Sequence, residues 1–74
     1  MEQKVIQIIA GHLGMEPDDI EPKHHFVDDL GSDSLDSVEI VLLIEDEFDI
    51  EIPDHEVEGI HTVANLINYV NANV

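Results

Sequence analysis

Apolar residues recur at helical spacing in several stretches of this chain. Near the start, Val5, Ile8, Ile9, His12 and Leu13 follow an i, i+3, i+4 rhythm, which predicts a helix with one buried face. Gly14 suits the position just past its end, with Met15 folding back as an apolar contact, and Pro17 helps to prevent continuation. Residues 15–33 read as a long loop, in which Glu16 and Glu21 each precede a proline and are expected to be extended. Ile20, Phe26, Val27 and Leu30 are expected to pin that loop onto the helices. A second helix is predicted from about Ser34 to Asp49, with Asp33 or Ser34 capping its first turn. Ile52-Pro53-Asp54 then closes a connection and starts a short helix, with Asp54 as the expected N-cap and Gly59 at its end. Thr62 is placed to cap the last helix, whose Val63, Leu66, Ile67 and Val70 form one stripe, and the terminal "NANV" is expected to fray. There is no credible strand pair, no repeat and no low-complexity tract. The expected fold is all-α: a small bundle of three main helices plus one short helix, with a long loop between the first two, in a single domain over residues 1–74.

The second helix carries two apolar faces. With residues 100° apart around the axis, Ile40, Val41, Ile44 and Phe48 gather on one side, and Leu35, Val38 and Leu42 on nearly the opposite side. Only one side of a helix can face the core of a small bundle, so the second patch is expected to be exposed at least in part. Around it stand Glu39, Glu45, Asp46 and Asp49, with Asp36 further around, nearer Leu43. An apolar strip rimmed by acids fits a partner surface, in which the acids steer and the aliphatic residues supply contact area. The competing reading is that all these residues pack, within the bundle or in a dimer.

Charge narrows the partners. Eighteen acids face two bases, Lys4 and Lys23, for a formal charge of −16 over 74 residues. Nucleic acid and anionic membranes would be repelled, whereas a basic protein surface or divalent cations would be attracted. Such self-repulsion predicts a fold sensitive to salt. A disordered acidic segment fits poorly, because 43% of the residues are hydrophobic and their spacing is periodic. Without cysteine there is no disulfide framework, zinc-thiolate site or thiol nucleophile. No apolar run reaches membrane-spanning length, and "MEQKVIQII" lacks the basic start and cleavage site of a secretory signal. A soluble cytoplasmic protein is expected, with no nucleic-acid partner.

Several chemistries can be tested against the sequence and set aside. An EF-hand loop over Asp28 to Glu39 has acidic ends, but its third position is Leu30 and its sixth, which needs glycine, is Asp33. Looser divalent binding by Asp28, Asp29, Asp33 and Asp36 stays open. A Ser-His-Asp hydrolase would need an elbow and an oxyanion loop around Ser34, and neither is present. The five histidines lack zinc spacing. His24 and His25 read as loop surface, and His12 as a partly buried structural histidine.

The stretch "DDLGSDSLDSVEIV" closely resembles the acyl carrier proteins of type II, or dissociated, fatty acid synthesis. The family hallmark is Asp-Ser-Leu after Leu-Gly-x, and here it stands as Leu30-Gly31-Ser32-Asp33-Ser34-Leu35. The similarity extends over almost the whole chain: "KVIQIIAGHLG" resembles the first helix of that family, "FVDDLG" the loop before the motif, and "IEDEFDIEIPD" and "IHTVANLINYV" the end of its second helix and its last helix. Ser32 replaces a frequent alanine, Leu43 stands where a small residue is more usual, and "PKHHF" is rich in histidine.

The resemblance implies 4′-phosphopantetheine, covalently attached to Ser34 and drawn from coenzyme A by a phosphopantetheinyl transferase, the holo-carrier synthase. Acyl chains would ride as thioesters on its terminal thiol, and catalysis would belong to partner enzymes with basic docking patches. It further implies a docking face at Asp33, Leu35, Asp36, Val38, Glu39, Leu42, Glu45 and Asp46, extended by Ile52, on a chain expected to be monomeric. An acyl chain would shelter between the second helix and the short one, with Ile44, Val57, Ile60 and Leu66 as candidate lining; without a ligand the same four residues read as core. Elementary electrostatics agrees in part. A phosphodiester at a helix start meets the positive end of the dipole, worth about 0.3–1 kcal/mol when exposed. Asp33 and Asp36 oppose that benefit, so recognition by basic enzymes accounts for them better. A carrier for polyketides or a specialised lipid, and an unmodified acidic cation-binding or adaptor domain, are the alternatives.

Overall fold

A computed structural model describes residues 1–74 and is all-helical apart from its connections. Helix α1 spans Glu2–Leu13, α2 Ser34–Phe48, α3 Asp54–Val57 and α4 Val63–Asn73. None of them is long and apolar enough to cross a membrane. The expected long loop contains one 3₁₀ turn, Pro17–Asp19, because Pro17 has the fixed φ that starts such a turn.

The apolar stripes meet where their periods require. Val5, Ile9 and Ala10 of α1, Ile40 and Ile44 of α2, and Val63, Leu66, Ile67 and Val70 of α4 are buried together. Ile20 and Phe26 close the core from the loop, and Leu30 packs against its edge. Val27 does not join them and is 54% exposed. It lies one residue past Phe26, in a turn that directs Phe26 inward. Helix α1 ends as its sequence predicts: Gly14 takes φ 69°, and the Met15 N–H reaches back to the Ala10 carbonyl at 3.0 Å. Helix α2 ends in the same way on Asp49, with φ 54°. That reversal returns Ile50 and Ile52 to the bundle, so Ile52 is only 5% exposed and its side chain belongs to the core.

Two helix boundaries and the role of two histidines differ from expectation. Pro53 is the N-cap of α3, and Asp54 is its first helical residue without a capping side-chain bond. The end of α4 stays helical to Asn73, whose side-chain amide donates from Nδ2 to the Tyr69 carbonyl at 2.8 Å. His24 and His25 are structural rather than mere loop surface. The Nδ1 of His24 accepts the Glu21 N–H at 3.0 Å, and Nδ1 of His25 accepts those of Val27 and Asp28, each at 3.2 Å. An isolated antiparallel bridge between His25 and Thr62 then ties the loop to the start of α4, where the Phe26 N–H donates to the His61 carbonyl at 2.9 Å.

Candidate functional site

Ser34 is the first residue of α2, and its position is fixed from both sides. Before it, Gly31 turns the chain at φ 70°. Ser32 is then buried, with both its N–H and its hydroxyl donating to the Phe26 carbonyl at 2.9 Å. The hydroxyl in place of a methyl at this position thus acquires a partner, and no buried polar group is left unsatisfied. On either side of Ser34, Asp33 and Asp36 form a reciprocal capping box: the Asp36 N–H donates to Asp33 Oδ1 at 2.9 Å, and the Asp33 N–H to Asp36 Oδ2 at 3.2 Å. Ser34, between them, is exposed and makes no side-chain hydrogen bond within the chain.

The backbone N–H of Asp33, and next the His12 ring, hold the Asp36 carboxyl below its usual value; partial desolvation opposes them. The His12 side chain is 16% exposed and reaches two acids of α2, Asp36 at 3.1 Å and Glu39 at 3.2 Å. It therefore lies between α1 and the acidic side of α2 rather than in the apolar core. The spacing that put His12 on the core stripe could not show this, because it carries no information about what faces α1.

The second apolar face of α2 is open. Leu35, Val38 and Leu42 are 66%, 51% and 57% exposed, and Leu43 beside them is exposed as well. Asp33, Glu39 and Asp46 border them in solvent. Glu45 is partly engaged, since its carboxylate accepts the Ile52 N–H at 2.7 Å. Of the residues expected on this face, Ile52 alone is buried.

Two hollows open beside Ser34. A small one, about 70 Å³, lies between α2, α3 and the loop, lined by Phe26, Ser37, Ile40, Val41, Val57, Ile60 and Leu66. Val57, Ile60 and Leu66 thus lie together as expected, but Ile44 sits deeper, fully buried, and does not reach the hollow. Phe26, Ile40 and Val41, placed from the sequence among the packing residues, and Ser37 join the lining as well; a shared wall between elements leaves no periodic trace. The second is an open groove holding Ser34 itself, with Asp33, Ser37 and Val38 on one side, Val57, Glu58, Ile60 and His61 on the other, and His25 to Val27 at its end. Neither histidine of the groove is hydrogen-bonded to the Ser34 hydroxyl, so no catalytic pair forms there.

The four loop and cap carboxylates do not make a cation cage. Asp29 accepts the His25 N–H at 2.7 Å, and Asp33 and Asp36 are committed to the capping box. No group of three or more His, Asp or Glu side chains stands in ligating arrangement.

An exposed serine hydroxyl with no internal partner, at the start of a fifteen-residue helix and beside an open groove, fits the attachment of an external group. Residues 3–70 match the family model for the phosphopantetheine attachment site. The fold is also that of a solved structure from Mycobacterium tuberculosis assigned as an acyl carrier protein, with TM-score 0.88, 32% identity and 97% of each chain covered. Carrier domains of this kind are modified by phosphopantetheinyl transferases and work with partner enzymes. Sequence and fold together make this chain a member of the phosphopantetheine attachment-site family, a carrier whose prosthetic group is 4′-phosphopantetheine.

Proposed function

We propose that the protein is a non-catalytic cytoplasmic acyl carrier of type II fatty acid synthesis, loaded at Ser34. The observation that carries the reading is the exposed Ser34 hydroxyl at the first position of α2, followed by the open strip Leu35, Val38 and Leu42. Loading is a phosphoryl transfer. The Ser34 oxygen forms a bond to the phosphorus of coenzyme A that bears the pantetheine. The pyrophosphate bond breaks, 3′,5′-ADP leaves, and the hydroxyl proton passes to a base on the transferase. The serine needs no base of its own, which agrees with its acidic surroundings. The attached group supplies a terminal thiol for acyl thioesters, otherwise missing from a chain without cysteine.

The other residues have matching roles. Asp33, Asp36, Glu39 and Asp46 offer charge to Arg and Lys of the transferase and chain-building enzymes, and Leu35, Val38 and Leu42 offer contact area. Asp36 and Glu45 contribute less freely, because Asp36 is engaged by the cap and by His12 and Glu45 holds Ile52. Incubation with coenzyme A and a holo-carrier synthase, followed by intact-mass measurement, tests the reading. One phosphopantetheine is expected on the wild type and none on Ser34→Ala. An unchanged wild-type mass, or the same gain in the variant, would sink it. The pathway is tested separately, by supplying the loaded protein to fatty acid elongation enzymes.

A further inference from the structure

The groove that contains Ser34 also contains an uncommon pair. The rings of His25 and His61 stack with centroids 5.9 Å apart and planes 12° from parallel. The two residues are 36 positions apart in sequence (61 − 25), and the bridge between loop and α4 start brings them together. Their neighbours fix the chemistry they present. Nδ1 of His25 accepts two backbone N–H bonds, so the proton of the neutral ring sits on Nε2, which has no partner in the chain. The His61 ring makes no hydrogen bond and is exposed. Apart from the two rings, the Ser37 hydroxyl is the one other free side-chain donor of the groove besides Ser34 itself. Asp33 and Glu58 are acids, and the Ser32 hydroxyl is committed to Phe26. The two lysines lie elsewhere, near Glu47 and Glu21.

We propose that the His25–His61 stack is a subsite for the prosthetic arm carried on Ser34. This rests on the reading of Ser34 as the attachment point. The arm is a chain of amides with a pair of geminal methyl groups. It needs flat apolar surface for the methyls and N–H donors for its oxygens. The stacked rings present both: the outer face of His61 takes the methyls, and Nε2–H of His25 donates to an oxygen of the arm. The groove floor then leads to Val57 and Ile60, which also line the small hollow between α2 and α3. The pair thus holds the arm on the side from which an acyl chain would enter that hollow.

The test uses isotope-labelled protein loaded with an unlabelled arm, with loading followed by intact mass. Isotope-filtered NMR is expected to give cross-peaks between the arm methyls and the ring protons of His25 and His61. The ring signals of both should move between the unloaded and loaded forms, while those of His55, which is exposed and does not line the groove, should not. His61→Ala, which removes only an exposed ring, is expected to load fully and lose the cross-peaks at His25 as well. Full loading without cross-peaks, or cross-peaks to His25 unaltered in His61→Ala, would overturn the subsite and leave the Ser34 reading intact. Failure of the wild type to gain mass would overturn both.

Discussion

Nε2 of His12, in the last turn of α1, lies 3.1 Å from Oδ1 of Asp36, in the first turn of α2. The other Asp36 oxygen accepts the Asp33 N–H. One carboxylate therefore closes the cap of α2 and ties that helix to α1. Its ionised form makes both contacts, which is why its pKa falls below the usual 3.8. A carboxylate whose pKa is depressed by folding stabilises the fold fully above its unfolded value. The contribution is lost as pH falls through the lower folded value. Melting followed by circular dichroism between about pH 5 and pH 2 should fall more steeply for the wild type than for Asp36→Asn. Superimposable acid limbs would show that the contact contributes nothing to stability.

Asp33 closes the helix cap and is proposed above to offer charge to partners, and two substitutions separate the two roles. Asp33→Ala removes the cap and should cost about 1 kcal/mol, or roughly 4–8 °C in Tm for a domain of this size. Asp33→Asn keeps an acceptor for the Asp36 N–H and should hold Tm near that of the wild type. Both remove the charge beside Ser34, so both should raise KM for the transferase by a similar factor. Normal loading of Asp33→Asn would mean that the cap matters and the charge does not.

The outward face of α2 and its inward face should respond oppositely to truncation. Leu42→Ala removes an exposed side chain and should change stability by less than about 0.5 kcal/mol, while weakening transferase docking. Ile44→Ala empties a fully buried position and should cost about 2–5 kcal/mol. That is a large share of the stability of so small a chain. Chemical denaturation and loading kinetics on the two variants check the contrast. A destabilised Leu42→Ala would mean that the strip packs within the fold and is not free for partners.

This contrast was legible in the sequence, because helical period alone assigns Ile44 and Leu42 to opposite sides. So was the Thr62 cap, and the α2 cap to within one residue, since the sequence offered Asp33 or Ser34 and the structure uses Asp33; their partners stand three residues on at Asn65 and Asp36. What escaped the sequence depends on chain reversals and on pairs distant along the chain. Ile52 is buried because Asp49 folds the chain back and Glu45 accepts its N–H. Val27 is exposed because the turn after His25 spends its inward direction on Phe26. The contact of His12 with Asp36, and the stack of His25 on His61, join residues whose proximity no local pattern encodes. The attachment motif, by contrast, is a local pattern, and so the position expected to carry the chemistry could be named from the stretch around Leu30 to Leu35.

The hollow between α2 and α3 is the proposed shelter for an acyl chain, and its size makes that proposal testable. Its volume is about 70 Å³, less than half of the ~150 Å³ that admits a benzene-sized molecule. A long chain must therefore widen it. The element able to yield is α3, four residues long with none of them buried, whereas α2 and α4 are anchored by the core. Each methylene that enters should gain about 0.8 kcal/mol, less the cost of moving α3. Tm is then expected to rise with acyl length from the unacylated loaded form and to level off when the widened seam is full. Val57→Phe, which places a ring in the hollow, should flatten that rise while leaving the unacylated form folded. Thermal melts of the wild type and the variant, each carrying a series of saturated chains, measure both effects. Equal Tm for unacylated and long-chain forms of the wild type would place the chain outside the bundle.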